Sequence, residues 1–107
     1  DARTRIACHR RLAAAEDQGG LENLRREWRD RFGPLPGPVE NLLLTARIRI
    51  EAALRKISLV EVRDRRVRLT RKKELLQEGG RFPRLTASGP DSSLREVLTV
   101  LEKISLE

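Results

Sequence analysis

Asp30-Arg31-Phe32-Gly33-Pro34-Leu35-Pro36, continued by Pro38-Val39-Glu40-Asn41-Leu42-Leu43 and Ala46-Arg47, ends one helix and starts another. Gly33 can take the left-handed conformation that closes a helix, Pro34 cannot extend that helix, and Pro38 has the fixed φ suited to the first position of the next. The corner built by Phe32, Gly33, Pro34, Pro36 and Pro38 is therefore stiff. Upstream, Leu21 to Phe32 has the spacing of a helix, with Leu24, Trp28 and Phe32 recurring every four residues as a stripe that must pack on something. Trp28 is accordingly a core residue. Gly19-Gly20 separates this helix from an earlier one, Thr4 to about Ala15, with Ile6, His9, Leu12 and Ala13 on its apolar side and Arg5, Arg10 and Arg11 turned outward. Downstream, Val39, Leu42, Leu43, Ala46, Ile50, Ala53, Leu54 and Ile57 track one face of a third helix, while Glu40, Arg47, Glu51 and Arg55 lie toward the other. Glu51 and Arg55 form an i,i+4 pair worth a few tenths of a kcal/mol.

The hydrophobic period then switches to two. Leu59-Val60-Glu61-Val62-Arg63 and Val67-Arg68-Leu69-Thr70 have the pattern of strands joined at Asp64-Arg65-Arg66, offering Val60, Val62, Val67 and Leu69 to one buried face. Glu74 to Glu78 has a brief helical possibility ended by Gly79-Gly80, and Arg84 to Ala87 can add a third strand. Asp91 or Ser92 caps a last helix with an apolar stripe of Leu94, Val97, Leu98, Leu101 and Ile104. The expected fold is α+β: three N-terminal helices packed with a small antiparallel sheet and a C-terminal helix. The preferred organisation is a single domain over 1–107, with a helical part at 1–57 and the hairpin and last helix at 58–107. Two subdomains divided near Lys56 are the alternative.

With 107 residues the chain suits one domain that buries roughly 65% of its unfolded surface. Asp1 in place of an initiator Met, with no signal-like start, is expected of a piece excised from a longer protein. Apolar runs such as Leu42-Leu43-Leu44 fall far short of a membrane span, which needs about 18 residues. The lone Cys8 cannot form an internal disulfide, and beside the single His9 it lacks metal-ligand spacing, so a cytoplasmic compartment with no cofactor or metal is expected. Cys8 and His9 are expected to be packing residues, since no acidic metal cluster or phosphate-binding loop accompanies them.

The net charge of +7 comes from 23 Lys plus Arg against 16 Asp plus Glu, an excess that favours polyanions or acidic surfaces. Arg63, Arg65, Arg66, Arg68, Arg71, Lys72 and Lys73 make a basic hairpin interrupted only by Asp64, the best nucleic-acid candidate in the chain. Aromatic stacking partners are nearly absent, with Trp28 and Phe32 assigned to helix stripes and Phe82 alone remaining. A solvated face that opposes edge-to-edge aggregation is the preferred interpretation of the hairpin. Glu27, Asp30 and Arg31, spaced i, i+3, i+4, cluster on one side of the second helix beside the corner, either as a charged docking surface or around an ordinary Glu27-to-Arg31 pair.

The chain resembles the C-terminal domain of the bacterial transcription-repair coupling factor family. Arg5-Ile6 through Arg10-Arg11-Leu12-Ala13 is similar to the family's RIxxYRRLA helix, Leu21 to Arg31 to its LEELREELIDR helix, and Phe32 to Arg47 to its FGPLPxPVENLLxxAR core. Likeness extends more loosely through the hairpin to Leu69 and departs after Thr70. Trp28 stands where the family usually has a smaller aliphatic residue. The resemblance implies a non-catalytic regulatory lid within a parent that is an ATP-dependent DNA translocase. Such a lid docks on the parent's UvrB-like module, hides the surface that recruits the damage-recognition protein UvrA, and restrains the translocase until stalled RNA polymerase is engaged. The family's charged contacts carry over to Glu27, Asp30 and Arg31. A small nucleic-acid-binding module using the Arg63 to Lys73 hairpin is the competing function, and no membrane partner is expected.

Overall fold

The computed structural model describes residues 2–77, 82–86, 88–104 and 106. Over these the chain forms α1 (Ala2–Ala14), α2 (Gln18–Phe32), α3 (Gly37–Leu54), β1 (Ile57–Arg63), β2 (Arg66–Arg71), β3 (Glu74–Leu76) and α4 (Pro90–Glu102). The fold is α+β, with three helices, an antiparallel sheet of order β1-β2-β3 and a further helix. No helix among the described residues is long and apolar enough to cross a membrane.

Local chemistry explains where the helices begin and end. Gly19-Gly20 does not break the chain but sits in the first turn of α2, because Asp17 caps that turn and accepts from the Gly20 N–H at 2.7 Å. At the other end the Gly33 N–H donates to the Arg29 carbonyl at 2.9 Å. Its φ of 81° with ψ of −160° is positive as expected, but extended instead of helical, a region that glycine alone occupies without strain. A Cβ added at Gly33 meets nothing within 4 Å, so Gly33→Ala isolates the backbone strain. It should cost about 1 to 3 kcal/mol in a urea titration. Pro36 is the N-cap of α3, which places Pro38 at the second helical position instead of the first.

Helix α3 differs most from the single stripe expected of it. Leu43, Ala46 and Ile50 join Leu12, Leu21, Leu24 and Trp28 in a core against α1 and α2. Ile48 and Ala52 instead join Ile57, Val67, Leu69, Leu85, Val97, Leu98 and Leu101 in a second core beneath the sheet and α4. One helix thus serves two cores, while Leu42, Ala53 and Leu54 are exposed and Ile57 belongs to β1. In α1 only Leu12 is buried. Cys8 packs against its core from a half-buried position, whereas Ile6, His9 and Ala13 are exposed, and so is Phe32 at the end of α2.

The sheet is built as a meander. Asp64 and Arg65 form the first turn with φ of 52° and 60°, and Lys72 and Lys73 form the second with φ of 54° and 67°, the paired left-handed residues of tight hairpins. Arg66 opens β2 opposite Arg63 and is not a turn residue. Val67 and Leu69 face the core with Val60 half-buried beside them, while Val62 is largely exposed. The expected helix at Glu74 to Glu78 is β3 over Glu74–Leu76, held by pairing Leu69 with Leu76 and Thr70 with Leu75; Glu78, Gly79 and Gly80 lie outside the described residues. The expected strand at Arg84 to Ala87 is a single bridge between Arg66 and Arg84, with Ala87 outside the described residues. Gly89 precedes α4 with φ of 95° and no side chain caps the helix, so neither Asp91 nor Ser92 does so.

Candidate functional site

Helix α2 buries Leu21, Leu24 and Trp28 and therefore turns Glu27, Asp30 and Arg31 to solvent beside the Gly33 corner. The three do not form the intrahelical pair that their spacing permits. Glu27 instead receives two hydrogen bonds from Arg11 of α1, one of them from Nη2 to Oε1 at 3.0 Å. This pairing holds the Glu27 carboxyl below its ordinary pKa and raises that of the Arg11 guanidinium. The Asp30 carboxylate makes no hydrogen bond or ion pair with any described residue, and the Arg31 guanidinium lies 5.0 Å from the centroid of the Phe32 ring. The outer end of α2 thus presents one tethered carboxylate, one open carboxylate and a cation laid over an exposed aromatic.

Two neighbouring features lay outside the sequence reading. Arg25 of α2 clasps Glu40 of α3 with hydrogen bonds of 3.2 and 3.0 Å, fixing the angle between the helices on either side of the corner. The Arg25 guanidinium lowers the Glu40 carboxyl through those bonds. Behind the corner, a cleft of about 390 Å³ is lined by Cys8, Leu12, Trp28, Phe32, Leu35 and Leu42 among others. Leu12, Trp28, Phe32 and Leu42 were each legible as apolar-face residues, but that they border a common cleft follows only from the packing of the helices. Arg11 could not be matched to Glu27 from spacing, because 16 residues separate them.

The basic hairpin does not present its seven cations on one surface. Arg63, Arg66 and Arg68 lie on the outer side of the sheet, opposite the inward Val67 and Leu69. Arg68 reaches over Phe82, 5.3 Å from its ring centroid. Arg65 donates to the Leu85 carbonyl at 3.3 Å, and Arg71 donates to the Arg55 carbonyl at 3.4 Å, so both hold the fold together. Lys72 and Lys73 are exposed at the second turn.

The family model described as the TRCF domain matches residues 1–79. The chain is also similar to the transcription-repair-coupling factor of Escherichia coli (strain K12), with 42% identity over 52 residues. That match covers 49% of this chain and 4% of the relative. A family match over the three helices, the corner and the whole of the sheet makes this chain a member of the TRCF domain family.

Proposed function

We propose that this chain is a single regulatory domain of a transcription-repair coupling factor, acting in transcription-coupled DNA repair. It is non-catalytic and cytoplasmic, and docks through the outer end of α2 on the UvrB-like module of its parent. Docking hides the surface that recruits UvrA and restrains the ATP-dependent DNA translocase until RNA polymerase is engaged. The carrying observation is Asp30, an exposed carboxylate that makes no hydrogen bond or ion pair with a described residue, set between Glu27 and Arg31 at the end of a helix that Arg25, Glu40 and Gly33 hold rigid. Charge-assisted hydrogen bonds from such a platform give a specific contact that can still open, as interfaces within a chain commonly do. Opening requires that the releasing partner bind the open state more tightly by a few kcal/mol.

The test is made in the full-length parent. Replacing Glu27 and Asp30 with Ala should leave melting nearly unchanged, because both side chains are exposed and solvent screens the pair of Glu27 with Arg11. Binding of UvrA should rise, since arginines facing these carboxylates would be left without partners on the docked module. Leu24→Ala should instead lower melting through the core. Normal melting with unchanged UvrA binding in the double variant would show that this face of α2 does not mask the recruiting surface.

A further inference from the structure

We infer that the outer face of the sheet is a contact surface for the phosphate backbone of duplex DNA, bound without regard to base sequence. Arg63 of β1 lies directly opposite Arg66 of β2, and Arg66 lies directly opposite Arg84 on its other side. The bonds Val67 N–H to Pro83 carbonyl and Leu85 N–H to Arg65 carbonyl, both 2.7 Å, frame Arg66 and Arg84 as a non-hydrogen-bonded pair, the kind in which side chains approach most closely. Leu85 and Val67 point into the core, which turns Arg84 and Arg66 outward together. Three arginines therefore stand in one row across three adjacent segments, about 5 Å apart at the backbone, and Arg66 also donates from Nη1 to the Phe82 carbonyl at 3.5 Å.

Like charges facing each other across strands destabilise a sheet, so the row costs stability unless an anion lies over it. Arg68 extends the cationic surface by one step along β2, its guanidinium held over Phe82. Glu61, opposite Arg68, is the single acidic residue among the outward described positions of β1 and β2. A row across the strands joined to a step along one strand gives three to four cations in a shallow, flat array, the form in which a phosphate backbone is held. Single strands are a poorer fit, because they are gripped by stacking on open aromatic rings and the one ring here is already covered by Arg68. Exposed apolar side chains, Leu59 and Leu75, flank Thr70 one step beyond Arg68, so the arginine row itself offers an acidic protein charge without apolar contact. The surface lies on the sheet, away from the α2 end assigned to docking, and its argument is independent of that assignment.

Titration of the 107-residue chain with a labelled mixed-sequence duplex across a salt series tests the inference. Three to four phosphate contacts predict a log-log salt slope of about −3 and a loss of affinity of roughly 40- to 150-fold between about 50 and 200 mM salt. R63Q/R66Q/R84Q should reduce the slope to about −1 or less in magnitude, with Arg68 alone remaining, and weaken binding at the lower salt by more than about tenfold. That variant should also melt close to the unaltered chain, because relief of the facing like charges offsets loss of the long Arg66 bond to the Phe82 carbonyl. R3Q/R10Q/R29Q removes the same charge from the helices and should keep the slope. Equal losses in the two variants would reduce the effect to net charge and overturn the inference. So would an absence of duplex binding at low salt, or binding of polyglutamate in preference to duplex with the same dependence on Arg63, Arg66 and Arg84.

Discussion

Glu51→Ala should cost about 3 to 5 kcal/mol, far beyond the few tenths expected of an exposed helical pair, because it strands a buried cation. The Arg55 side chain is 9% exposed and that of Glu51 is 15% exposed, and they meet at 2.5 Å. Arg55 also donates to the Ile104 carbonyl at 2.9 Å and to the Glu51 carbonyl at 3.1 Å, while Gln18 at the start of α2 donates to the Glu51 carboxylate at 2.6 Å. The pair therefore joins α2, α3 and the end of α4, and Arg71 brings β2 to the same place. Burial raises the Glu51 pKa, but the hydrogen bonds from Arg55 and Gln18 outweigh it and the carboxyl is held below its ordinary value. A lowered folded value means that the stabilisation is complete above the unfolded carboxylate value of about 4.3 and is lost as pH falls below it. Glu40 with Arg25 has the same sign. Denaturation at pH 7 and on acidification below about 4.3 should therefore show Glu51→Ala less stable at neutral pH and less sensitive to acid. Replacing both partners with apolar residues of similar volume should cost less than Glu51→Ala, since no charge is left alone. A near-neutral single variant would show that the pair is hydrated in solution.

Leu101→Ala should lower stability by about 2 to 5 kcal/mol, since Leu101 is 0% exposed and sits where α4 closes the second core. For a chain of this length about 3 kcal/mol corresponds to a fall in Tm of roughly 12 to 24 °C. The residue lies beyond the part of the chain that matches the family model, so the result tests whether α4 is integral to this fold. Because α3 supplies Ile48 and Ala52 to that core and Leu43, Ala46 and Ile50 to the other, circular dichroism should follow a single shifted transition. Val62→Ala, at a site 47% exposed, should change Tm little. Two separated transitions in the Leu101 variant would mean that the halves melt independently despite their shared helix.

The sequence made the helices, the hairpin and the rigid corner legible, because each rests on local signals: apolar spacing, period-two alternation, and glycine and proline with fixed backbone preferences. What it concealed depended on distant partners. Glu74-Leu75-Leu76 is made of good helix formers, yet pairing of Leu69 with Leu76 overrides that preference. Ile48 and Ala52 were missed because a helix buried on two sides has no single apolar stripe, and Arg55 looked solvated because its acceptor at Ile104 is 49 residues away. For the α2 surface, positions 27, 30 and 31 could be grouped by helical spacing, whereas the tether of Glu27 to Arg11 required the helix pair. The outward arginines were visible as a basic run, but their sorting into a row, with Arg84 added and Arg65 and Arg71 withdrawn, follows only from strand register.

The 18 residues of α3 make a rod about 27 Å long, with the corner at one end and the first strand at the other. Side chains of both cores grip that rod, so it acts as a lever whose two arms cannot turn separately. A tilt of about 10° imposed at the corner carries the sheet end through about 5 Å, roughly the distance between neighbouring strands. Any partner that levers the second helix away from its seat therefore also swings the arginine row, and a load on that row is felt at the corner.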